Sequence, residues 1–264
     1  MKKALLLGVA ITVLAAACAT TTSPTGRRQV VGGVSQAELD QLGAQAFAEA
    51  KSKQKVSTDA TQNAYVQCVV NALVAQLPSQ YEGVRWETAV FVDNEPNAFA
   101  LPGGKVGVHT GIFTVAKNQD QLAAVIGHEI SHVISRHHEE RLTRQMVASS
   151  VLQVAGALAG DYGQLVTQGG SILAQTGFLL PNSREQEGEA DIVGQRLMAQ
   201  AGFDPAQAIS LWQNMQAASG SRAPQWMSTH PDPANRIRDL QRDAPALAPV
   251  YQQARAAGRA PRCG

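Results

Sequence analysis

Hydrophobic and polar positions change period along this chain, and each change predicts an element. From Ser35 to about Lys51, and again from about Asp59 to Leu77, alanines and larger apolar residues recur at helical spacing. "VRWETAVFVD" then alternates, with β-branched and aromatic residues, and predicts a strand. "NAFALPGGKVGVHTGIF" predicts two short strands joined at Pro102, Gly103 and Gly104. From Asp120 the period is helical again, with Leu122, Val125, Ile126, Ile130, Val133 and Ile134 on one stripe. A helix through "SREQEGEADIVGQRLMAQ" is stopped by Gly202, and Asp204-Pro205 supplies a cap and a first-turn proline for the next. Two more helical stretches follow "STHPDPANRI".

The ends carry different signals. "MKKALLLGVAITVLAAAC" has two lysines, an apolar run and then small residues up to Cys18, the build of a secretory leader. A cysteine after "LAAA" resembles a bacterial lipobox, in which that cysteine is lipidated; ordinary leader cleavage near Ala17 is the alternative. Ala19, rather than aspartate, then favours the outer membrane of a Gram-negative cell. Residues 19–33, "ATTTSPTGRRQVVGG", have no apolar period and read as a tether. The expected organisation is a leader over 1–17, a lipid-anchored tether over 18–33 and one domain over 34–264. Residues 145–180 hold a single charge, Asp161, but glutamines, serines and glycine interrupt them. They fall short of the about 20 consecutive apolar residues a span needs, so buried or lid-forming helices are expected.

Composition narrows the class. Hydrophobic residues are 44% and charged ones 16%, enough for a real core, and the formal charge of +1 offers no footprint for nucleic acid. Of three cysteines, Cys18 is taken by the leader pattern, leaving Cys68 and Cys263. In an exported chain that even pair is expected to form a disulfide, fastening the C-terminal segment to the early helix.

The chemistry centres on "GHEISHV". Four residues apart on a helix, His128 and His132 share a face and can converge on one ion, with Glu129 beside them as a proton acceptor. Zinc needs a third protein donor. In "SREQEGEAD", Glu187 and Asp191 are four apart, so one can bind the metal while the other orients a ligand histidine. Glu185 and Glu189 lie roughly 200° round that helix and are expected to face solvent or pair with cations. His137 and His138, five and six beyond His132, point off the metal face, and with His109 they are expected to be structural or at the surface. Lys105 is followed by valine, which rejects a phosphate loop, and the absence of G-x-S-x-G weakens a serine hydrolase.

The order "NAFALPGG … GHEISHV … SREQEGEAD … AGFDP … STHPDPANRI", over roughly residues 57–242, resembles the HtpX and CAAX-prenyl-endopeptidase-type zinc metallopeptidases, peptidase family forty-eight. Its periplasmic, lipid-anchored branch in Gram-negative bacteria is the most similar. The resemblance implies an α+β, mainly helical, zincin-like domain with a small sheet and one zinc per chain. It implies His128, His132 and Glu187 as ligands, Glu129 as general base and Asp191 as the orienting carboxylate. Asn97, Ala98, Phe99 and Ala100 match the family's substrate-side edge strand, where an extended peptide can bind by strand addition. The implied function is hydrolysis of misfolded or unassembled envelope proteins, on the periplasmic side of the outer membrane. The alternative is a catalytically idle, chaperone-like lipoprotein on the same fold. Without convincing spans, cleavage inside a membrane is not expected.

His230 sits in a turn-prone stretch between the ligand helices and the C-terminus, followed by Pro231 and Pro233. It caps the helix beginning near Ala234, or it reaches the active site with Arg236 anchoring the segment. In the site it acts as a fourth zinc donor that excludes water, or as a donor to the oxyanion.

Overall fold

The computed structural model describes residues 19–158, 182–218, 230 and 236–264. Cys18 and the leader lie outside them. A three-stranded sheet is formed by β3 (Glu87–Phe91), β4 (Ala98–Leu101) and β5 (Lys105–His109). Its order is β3–β5–β4, with β3 parallel and β4 antiparallel to the central β5. Alternation sorts the side chains. Val90, Ala98, Ala100, Val106 and Val108 join the main core, while Ala89, Phe91 and Leu101 pack with Phe47 on the opposite face.

Phe47 belongs to α1 (Gln36–Lys53), which starts with a capping box between Ser35 and Glu38. α2 (Ala60–Val74), capped by Asp59, lays Val66, Val69, Val70 and Leu73 on the main-core side. There α3 (Gln119–Ile134), capped by Asn118, is buried nearly all round from Gln121 to Val133. α4 (His137–Leu158) follows after a two-residue break. α5 (Arg184–Ala201) ends at Gly202, which takes the left-handed conformation of a C-cap (φ 84°). α6 (Gln207–Ala218) comes after Asp204, whose side chain accepts from Ala206 N at 2.9 Å. The expected mainly helical α+β class with a small sheet is observed.

Two expectations are corrected. Residues 19–33, expected as a tether, contain an antiparallel hairpin of β1 (Ala19–Thr22) and β2 (Arg28–Val31), docked on α4. Its inward set is short, Gln29 and Val31, and much of its anchoring is polar, so no apolar period announces it. Gly32 N donates to Glu139 Oε1 at 2.9 Å, and Gly33 N to Thr143 Oγ1 at 3.1 Å. Second, the two expected C-terminal helical stretches are one helix, α7 (Arg236–Ala256), running through Pro245 and Pro249. Each proline removes a backbone donor. Both are exposed and four apart on one face, so the carbonyls left over can turn to water. α4 covers the beginning of the 145–180 stretch, and the rest of it lies outside the described residues. No helix among the described residues is long and apolar enough to cross a membrane.

Cys68 on α2 and Cys263 are bonded, with Cα atoms 5.5 Å apart across 195 residues of sequence. Closing a loop of that size limits the unfolded chain by about 5 kcal/mol in the chain-entropy model. We expect Cys263→Ser to lose about 2–4 kcal/mol of stability, read as a lower Tm. Free-thiol titration of the unreduced protein should find neither Cys68 nor Cys263. A Tm unmoved by the substitution refutes the fastening role.

Candidate active site

Two helices build the site by crossing at unusually short range. A Cβ placed on Gly194 of α5 would lie 2.9 Å from His128 N and 3.0 Å from Gly127 C on α3. Only glycine permits that approach. At and beside the crossing, His128 and His132 of α3 face Glu187 and Asp191 of α5, all four buried. The two Nε2 atoms are 3.2 Å apart. Glu187 straddles them, with Oε2 at 3.4 Å from His128 Nε2 and Oε1 at 3.4 Å from His132 Nε2. His230 joins the group: donor atoms of His128, His132, Glu187 and His230 all lie within 4.8 Å of one another. His230 Nε2 is also 3.3 Å from Glu129 Oε1.

Behind the donors the charges are tied down. Asp191 Oδ1 is 2.9 Å from His128 Nδ1, and its Oδ2 accepts from Arg236 Nε at 2.6 Å. Arg236 Nη2 donates to Glu187 Oε2, also at 2.6 Å, and its guanidinium lies 3.9 Å from the Trp212 ring centroid. The arginine therefore holds both carboxylates of one α5 face. On the other side, Arg141 is buried and donates to Asn182 Oδ1. Burial lowers its pKa to about 10 despite the nearby Glu187, Glu129 and Glu140.

The electrostatics test whether these residues fit a cation. Burial opposes a charge on His128, but Asp191 and Glu187 outweigh it and raise its pKa to about 9. Burial likewise opposes ionisation of Glu187, yet His128, His230 and Arg236 hold its carboxyl down at about 2. Burial and the neighbouring histidines push His132 well below its usual value, towards a neutral ring with a lone pair to give. Glu187 Oε1 is buried and accepts no hydrogen bond among the described residues. Nitrogen and carboxylate donors converging on one point, at a spot that favours positive charge, fit a divalent metal such as zinc.

The other expected residues fall as follows. Glu185 is exposed. Glu189 is not at the surface: it is buried and takes the second option, pairing with Arg27 Nε at 2.8 Å and with His137 Nε2 at 3.1 Å. His137 and His138 are buried as well, so a surface place for them is corrected. His137 also returns to the site, with Nδ1 2.8 Å from His132 Nδ1. The cause is the break after α3, where Arg136 is left-handed (φ 57°) and restarts the helix in a new direction. Arg136 is held there by two hydrogen bonds to Glu139, at 2.6 and 2.8 Å. His109 stays apart, 3.6 Å from Asp93. Ala98, Phe99 and Ala100 lie on β4, an edge of the sheet that packs beside α3, and Asn97 immediately precedes it.

A mainly helical, zincin-like fold with a His-Glu-x-x-His helix and an acidic donor from a second helix defines a metallopeptidase class. Residues 60–244 match Peptidase family M48, and the chain belongs to it. It is 41% identical over 179 residues to the mitochondrial metalloendopeptidase OMA1 of Schizosaccharomyces pombe, covering 67% of this chain and 51% of that protein. Over 195 residues it is 32% identical to the β-barrel assembly-enhancing protease of Escherichia coli, covering 70% of this chain and 40% of that protein. The chain thus spans about half or less of the length of these relatives.

The geometry makes a graded prediction for metal affinity, read by competition with a chromogenic chelator. Glu187→Ala should abolish tight zinc binding. Asp191→Ala should weaken it roughly 10- to 100-fold, the usual loss when a ligand's orienting partner goes. Glu185→Ala should change nothing. Equal losses at Glu185 and Glu187 refute the assignment.

Proposed function

We propose that this chain is a zinc-dependent endopeptidase of the bacterial cell envelope, hydrolysing misfolded or unassembled envelope proteins. The observation that carries the proposal is the convergence of His128, His132 and Glu187 on one point with Glu129 beside it. The chemistry a zinc ion would supply there is Lewis acidity, applied to a water and to the scissile carbonyl. Glu129, beside the donors, would accept the proton of the attacking water and return it to the leaving amine. Asp191 and Arg236 keep His128 and Glu187 in place while charge redistributes. β4 offers a backbone edge for an extended peptide, beside the helix that carries Glu129.

His230 sets the resting state. Its place in the donor group supports the role of a fourth donor that excludes water and holds Glu129 until a client displaces it. The compartment rests on the leader pattern and Cys18, through which the chain is lipid-anchored to the periplasmic side of the outer membrane. Of the relatives, one is named for β-barrel assembly and another is named mitochondrial, so the leader weighs more than the names. No observation favours the idle, chaperone-like alternative.

Casein digestion by the purified protein tests the reading. A zinc chelator should stop it, and Glu129→Gln should lower it at least about 100-fold while leaving zinc bound. Undiminished digestion by that variant sinks the mechanism. His230→Ala should raise the rate several-fold, and a fall instead would make His230 an oxyanion donor.

A further inference from the structure

Each histidine of the α3 motif has a second ring nitrogen to satisfy, and the structure does it in two ways. His128 Nδ1 meets the Asp191 carboxylate directly. His132 Nδ1 meets another imidazole, His137 Nδ1, at 2.8 Å. His137 is fully buried, and its Nε2 lies 3.1 Å from Glu189 Oε2. Glu189 accepts in turn from the hairpin loop: Arg27 Nε at 2.8 Å, Thr25 Oγ1 at 2.7 Å and Thr25 N at 3.3 Å. The remaining guanidinium nitrogens of Arg27 grip Glu140 at 3.0 and 2.9 Å, and Gln186 and Arg144 fix Glu140 from elsewhere.

Proton accounting gives this chain of contacts a direction. For His132 Nε2 to face a cation it must carry no proton, so the ring proton sits on Nδ1. That proton is donated to His137 Nδ1, which is then the bare nitrogen of its ring. His137 therefore carries its proton on Nε2 and donates it to Glu189. One tautomer per ring satisfies every link, and Arg27 supplies the charge that keeps Glu189 an acceptor in a buried place. We propose that His137, Glu189 and Arg27 are positioning residues for His132, so that the N-terminal hairpin fixes the orientation and tautomer of a metal ligand. The arrangement matches that at His128, where Asp191 and Arg236 do the same work without an intervening ring. This inference rests on the metal reading of the site.

A purely structural ion pair makes a different prediction from a relay, and zinc affinity separates them. The full-length protein is titrated with zinc alone against a chromogenic chelator, with circular dichroism certifying the fold of each variant. His137→Leu should weaken zinc about 10- to 100-fold. His137→Asn keeps an acceptor towards His132 but cuts the link to Glu189, and should lose less. Arg27→Met, on a side chain already 18% exposed, should weaken zinc about 3- to 10-fold in the wild-type background. In the His137→Asn background it should add less than about twofold, because the link it acts through is already cut. Wild-type zinc affinity in folded His137→Asn and Arg27→Met, or losses that simply multiply, would overturn the relay. His132→Ala separates the two readings. If it binds zinc normally the metal site itself is wrong, whereas loss of zinc there with intact binding in the relay variants removes only the relay.

Discussion

The site depends first on a contact that has no chemistry of its own, the glycine crossing of α3 and α5. Gly127 and Gly194 let two backbones touch one residue before His128. From that point, helical spacing places His132 one turn along α3 from His128, and Asp191 and Glu187 one and two turns back along α5 from Gly194. A wider crossing would carry Glu187 away from both imidazoles while leaving it buried. A buried carboxylate without its partners is costly, so the crossing and the charges sustain one another.

The second constraint is that this donor group and the residues around it concentrate acid in the core. Glu129, Glu139, Glu140, Glu187, Glu189 and Asp191 are all buried. Two arginines, one early and one late in the described chain, make four of these tolerable. Arg236 grips Glu187 and Asp191, while Arg27 grips Glu140 and Glu189. Each guanidinium presents a planar fork, which suits two carboxylates better than a lysine's point charge could. Removing one partner of such a buried pair typically costs about 3–5 kcal/mol. Docking of the segments that carry Arg27 and Arg236 and charge balance at the donors are therefore one problem, with the disulfide to Cys263 fastening the C-terminal segment independently.

What the sequence disclosed follows from the range of each interaction. The HExxH face, the pairing of Glu187 with Asp191 and most helix ends rest on spacings of four residues or on caps, and these are local rules. The Cys68–Cys263 bond was legible by counting, although nothing in the sequence showed that the two sites meet. Arg27 was not legible, because its partners lie 113 and 162 residues away and its hairpin lacks an apolar period. His137 failed for a different reason. Counting on from His132 treats the helix as continuous, yet the chain turns left-handed at Arg136, a residue type with no special tolerance for that conformation. The turn is held by Glu139, which in turn accepts from Gly32 beyond the hairpin. Thus a distant backbone contact helps set the local dihedral that aims His137 at His132, and no rule confined to neighbouring residues could have found it.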